Sequence, residues 1–123
     1  MNKTYLLLLF LMFSTITLSQ NVENNENQQV NIEQISNNEL GKLDDFLHLS
    51  QEQKEQVYEI IHGVLIKNKQ VKLMKLIEED KKAIIMRNEE SKSLMIMDVL
   101  VGKQRIAYEN HLNTLIHPEG SAD

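Results

Sequence analysis

The side chains of this 123-residue chain that could do acid/base, nucleophilic or metal chemistry are few, and their spacing does not assemble them. Glu78, Glu79 and Asp80 are adjacent, as are Glu89 and Glu90. Neighbouring carboxylates on a helix point to different sides, so they read as solvated surface and not as an acid/base pair. The candidate metal ligands are His48, His62, His111 and His117, none of which lies four residues from another. His62 can share a helix face with Glu59, three residues back, a pairing typical of exposed ion pairs. There is no Cys and no HExxH-like spacing, so no metal site is implied. A serine triad needs a rigid pocket that a small helical protein hardly supplies, and no Gly-rich phosphate loop or aromatic stacking platform is present. The expectation is a protein that performs no catalysis and needs no cofactor.

More information lies in "LSQEQ", residues 49–53. Ser50 is placed to cap a helix, its hydroxyl accepting from the Gln53 N–H while the Gln53 side chain reaches back to the Ser50 N–H. Leu49 does not fit that local account. A hydrophobic staple would pair it with the fourth helical residue, which is Lys54, so Leu49 must find apolar contact on another helix. The Leu-to-Gln step recurs as Leu100 and Gln104, each copy being followed by a Tyr, Tyr58 and Tyr108. Val101 stands where the capping Ser would be, and Val cannot cap, so capping alone does not explain the repeat.

The elements that would position these residues follow from composition and periodicity. Residues 1–19 carry one Lys, an apolar run too short to span a bilayer, and small residues Thr17 and Ser19 before Gln20, the pattern of a cleaved secretory signal peptide that leaves no stable membrane anchor. Residues 20–41 have no basic and few apolar residues and are expected to form a flexible polar, acidic arm. A helical domain is expected over 42–117, with 118–123 a frayed tail. The net charge of −5 argues against nucleic acid as a partner. Within the domain Val57, Ile60, Ile61, Val64, Val71, Met74, Ile77, Ile84 and Ile85 fall at helical steps, and no strand-like alternation competes. A break is expected at 87–93, where Asn88, Ser91 and Ser93 could cap, with 78–82 the other place for it. A last helix is expected over 102–116 with Ile106, Leu112 and Leu115 inward. The fold class is therefore all-α, a small helical hairpin of three to four helices.

The stretches "LHLSQEQKEQVYEI" and "IMDVLVGKQRIAYENHL" resemble the twice-occurring Leu-Thr-x-x-Gln motif of the LTxxQ family of periplasmic proteins, which includes Spy, CpxP and ZraP. Ser50 replaces Thr in the first copy, and Val101 and Gly102 replace polar residues in the second. The resemblance implies a helical hairpin completed as an antiparallel homodimer, with Leu49, Ser50, Gln53, Leu100 and Gln104 holding the hairpin. It also implies an ATP-independent chaperone in the periplasm that binds unfolded or partly folded proteins. The alternatives are a stress or metal-response sensor or inhibitor that binds one defined envelope partner, and a purely structural helical protein.

Residues 64–77 contain no acid, and Lys67, Lys69, Lys72 and Lys75 are interleaved there with apolar residues including Met74 and Leu76. Charge favours fast capture and flexible apolar groups favour undemanding contact, so Lys67, Lys69, Lys72, Met74, Lys75 and Leu76 are the candidate client-binding residues.

Overall fold

Ile32, Ser36, Leu40, Leu43 and Leu47 recur at steps of four, four, three and four, and they line the inward stripe of the first helix, α1 (Val22–Leu47). The structure, a computed structural model, describes residues 22–116, with side chains described from residue 31. After α1 come α2 (Gln51–Leu73), α3 (Glu78–Val99) and α4 (Lys103–Ile116), and the described residues include no strand. The all-helical class read from the sequence is the class observed. The proposed signal peptide, the tail 118–123 and His117 lie outside the described residues.

Residues 22–41 correct the expectation of a flexible arm, since from Val22 the chain is helical. From Ile32 onward each turn contributes only one inward residue, so mean composition stays polar, yet such a stripe is sufficient to dock a helix. Ser36 is wholly buried within it, and its Oγ donates to the Ile32 carbonyl at 2.7 Å, so the stripe carries no unsatisfied hydroxyl.

The core collects Leu43 and Leu47 of α1, Leu49, then Val57, Ile60 and Ile61 of α2, Ile96 of α3, Leu100, and Tyr108 of α4. Each large aliphatic side chain fully buried here contributes about 1.5–3 kcal/mol. Of the helical-spacing set, Val57, Ile60, Ile61, Val64 and Val71 are buried and Ile84 and Ile85 half-buried, while Met74 and Ile77 are exposed because the chain turns there.

The break lies at residues 74–77, so the expectation of a break at 87–93 is corrected. Asn88, read as a cap, is buried in mid-helix: its Nδ2 donates to Asn68 Oδ1 at 2.9 Å, while Asn68 Nδ2 donates to Glu89 Oε1 at 3.1 Å. Asn68 lies on α2 and Asn88 on α3, so an antiparallel pair in that register must turn near the midpoint, residue 78. No Gly or Pro marks the turn. Lys81 Nζ instead donates to the Lys72 carbonyl at 3.0 Å and closes the end of α2, and Glu78, Glu79 and Asp80 fill the first turn of α3 where the helix dipole favours acids. These two helices run side by side, as do α1 and α2, and α4 returns onto α1.

For α4 the expected inward set is also corrected. Ile106 and Leu115 are exposed, Leu112 is half-buried, and the buried residue is Tyr108. Gln104, Tyr108 and Leu112, at steps of four, form the inward face, and Ile106 is rotated from Gln104 by about 200°. Tying the first turn of α4 through Gln104 therefore fixes which face the rest of the helix presents.

Candidate functional site

Four helix ends meet where the two Leu-to-Gln repeats meet: the C-termini of α1 and α3 and the N-termini of α2 and α4. Ser50 caps α2 as the sequence predicts. Its Oγ accepts from the Gln53 N–H at 3.1 Å, and its own N–H donates to Gln53 Oε1 at 3.0 Å. Gln53 also reaches across the molecule. Its Nε2 donates to Gln104 Oε1 at 2.8 Å and to the Val99 carbonyl at 3.1 Å. In return Gln104 Nε2 donates to Gln53 Oε1 at 3.0 Å and to the Leu47 carbonyl at 3.2 Å, while Gln104 Oε1 accepts from the Val101 N–H at 3.2 Å.

The pairing is reciprocal. Each glutamine holds the loop before its own helix with its oxygen, and with its nitrogen it caps the last carbonyl of the helix that leads into the other repeat. Both amides use two donors and two acceptor positions, their full capacity. A Glu would lose both donors, and a shorter Asn would not span the gap, which accounts for Gln in both places. Leu49 and Leu100 sit beneath the pair in one core, 7% and 2% exposed. Leu49 thus finds the interhelical contact that its own helix cannot supply.

The copies differ in their caps. In the first, α1 ends on His48 at φ 53°, whose N–H donates to the Asp44 carbonyl at 2.9 Å, and Asp44 Oδ1 accepts from the Leu49 N–H at 2.8 Å. Lys54 lies 3.4 Å from the same carboxylate. In the second, Gly102 takes φ 52°, a left-handed conformation that costs Gly little, and the α4 start relies on the Val101 and Gly102 carbonyls. No side-chain hydroxyl caps this helix, and the Gln104 amide is the side chain that holds the loop, accepting from the Val101 N–H.

The candidate client-binding residues lie toward the other end of the α2–α3 hairpin, about 20–30 Å from Gln53 by the rise of α2. Lys67, Lys72, Met74, Lys75 and Leu76 are exposed and Lys69 is half-buried. The fold adds Leu73 and Ile77, 71% and 64% exposed, so the turn between the helices is apolar and stands in water.

A groove of about 820 Å³ between α1, α3 and α4 was not legible in the sequence. Phe46, Met86, Leu94, Tyr108, Leu112 and Leu115 contribute to its walls. They come from three separate helices, and only the tertiary fold brings them together. At its base Lys92 Nζ lies 2.7 Å from Glu39 of α1 and 2.7 Å from Glu89 of its own helix. Burial would lower the Lys92 pKa, but hydrogen bonds to Glu39 and Glu89 and their charges outweigh it and raise the pKa above its usual value. Burial pushes the Tyr108 hydroxyl up as well.

The histidines do not converge. His62 stacks on Tyr58 with ring centroids 5.6 Å apart, and His111 lies between Phe46 and Tyr108 at 4.9 and 6.3 Å. Among the described residues no three His, Asp or Glu side chains are placed to hold a metal ion, and no helix is long and apolar enough to cross a membrane. No family model, curated protein or solved structure matches this chain.

Proposed function

We propose that this chain is an LTxxQ-type protein of the cell envelope, secreted to the periplasm, that binds unfolded or partly folded polypeptides as an ATP-independent chaperone and acts without catalysis. The observation that carries the reading is the reciprocal Gln53–Gln104 pair over Leu49 and Leu100. It supplies a physical reason for a Leu-to-Gln motif to occur twice in one helical hairpin. On this reading the clasp is structural, and contact with clients falls to exposed apolar and basic surface, including Lys67, Lys69, Lys72, Met74, Lys75 and Leu76. The apolar residues left in water on α3 and α4, among them Met86, Leu94 and Leu115, suit completion of the fold by a second copy.

The test is aggregation of several unrelated unfolded proteins, without ATP, in the presence of the chain purified from residue 20 onward. Slowed aggregation of most clients at one dimer per client is expected. Failure with every client overturns the reading. The groove between α1, α3 and α4 supports a second reading, a sensor or inhibitor of one defined envelope partner, for which protection of unrelated clients is absent and one partner is retained. Mass in solution tests the homodimer.

A further inference from the structure

We propose that the tip of the α2–α3 hairpin docks on an anionic bilayer surface. Residues 72–77, Lys-Leu-Met-Lys-Leu-Ile, form the end of α2 and the turn, and every one of them is exposed. A turn that carries four apolar side chains in six residues is unusual for a soluble surface, since each is denied the burial that would favour it. Lys69, Lys72, Lys75 and Lys82 surround it and enter no ion pair among the described residues.

The charge is also concentrated here. Between residues 67 and 82 there are six lysines and three acids, a net +3 on a chain whose total is −5. Glu78, Glu79 and Asp80 belong to the first turn of α3, and Lys81 folds back over that turn to Glu78 and the Lys72 carbonyl. Residues 20–59, by contrast, carry nine acids against two lysines, and residues 83–117 balance four against four, so the tip is the one basic stretch through which an anionic membrane attracts the chain from residue 20 onward.

Shape suits a lipid surface as well. A fluid interface accepts the exposed end of a helical hairpin as a protrusion and surrounds it. Apolar side chains would enter the headgroup boundary while the lysines meet lipid phosphates, a reversible attachment distinct from a membrane span. This inference does not depend on the chaperone reading.

The test is flotation of the chain from residue 20 onward with vesicles of phosphatidylcholine alone, and with vesicles in which about three tenths is phosphatidylglycerol, at about 0.1 M salt where screening reaches about 10 Å. Binding to the anionic vesicles is expected, weaker by about tenfold or more on neutral vesicles. Leu73→Ser with Ile77→Ser, and separately Lys72→Glu with Lys75→Glu, should each lower binding by about tenfold or more with helical circular dichroism unchanged. Leu94→Ser, an exposed apolar position in the groove, should float as the parent does. No flotation, equal flotation on neutral vesicles, or tip variants that float normally would overturn the proposal. It is likewise overturned if the tip variants lose only client protection, which makes the tip a polypeptide surface, or only solution dimer mass, which makes it a contact between copies. Failure of the aggregation assay with flotation intact removes the chaperone reading and leaves this one standing.

Discussion

At the clasp end of the α2–α3 hairpin both amide groups of Gln53 and Gln104 are fully partnered, and the leucines beneath them are buried. At the tip end Leu73 and Ile77 stand in water beside Lys72 and Lys75. The same two helices therefore carry opposite chemistry at their ends. Net stabilisation comes from burial and from polar groups that would be costly to leave unpaired, so it concentrates at the clasp. The tip's apolar side chains, exposed at a free-energy cost, add little to the fold and are left available for contact with something else.

The comparison can be broken most forcefully at the leucines. Leu100→Ala should destabilise by about 2–5 kcal/mol in urea melts, and Leu49→Ala by about 2 kcal/mol or more. Both should exceed any loss from truncating an apolar tip residue, and equal losses at the two ends would erase the distinction. Gln53→Glu should cost about 1–3 kcal/mol at neutral pH, because it sets a carboxylate against the Val99 carbonyl and Gln104 Oε1 and removes both donors. A glutamate variant as stable as the parent would show that the amide protons are dispensable.

Smaller effects sharpen the contrast between the two repeats. Ser50→Ala should cost about 1 kcal/mol through loss of the cap. Gly102→Ala should cost a similar amount, about 1–2 kcal/mol, through the left-handed backbone alone, since open space surrounds the position. Each is a melt in the same denaturant. The Lys92 network, which joins α1 to α3 between the two ends, should show itself as alkaline sensitivity. Its pKa is raised in the folded state, so its contribution is complete below the ordinary value near 10.5 and is lost as pH rises through the folded value. Tyr108, also raised, acts in the same direction. Stability measured across pH 9 to about 11.5 should fall, less steeply in Lys92→Met, and parallel profiles would remove Lys92 from the account. Smallest of all, Leu73→Ser should change stability by no more than about 0.5 kcal/mol.

Much of this was legible in the sequence, and what was not has a physical reason. Helical class followed from the steps among Val57, Ile60, Ile61 and Val64, and the Ser50 cap from local chemistry alone. The need for Leu49 to find a distant partner was visible as a local misfit, although its neighbours in space were not. The α1 stripe through Ser36 escaped because mean polarity hides one inward residue per turn, and a buried Ser looks polar until its bond to the Ile32 carbonyl is seen. The turn was misplaced because Asn88 resembles a cap in sequence, whereas Asn68, twenty residues away, makes it an interhelical pin. Reading Gln53 and Gln104 as partners required two loops to meet, which no local pattern encodes.

The central claim is that the two Leu-to-Gln repeats form one clasp, and a double-mutant cycle tests it directly. Gln53→Ala, Gln104→Ala and the double variant, melted in urea, should show a coupling of about 1 kcal/mol or more, the double losing less than the sum of the singles. Additive losses, within about 0.3 kcal/mol, would contradict it and reduce the repeat to two independent helix starts.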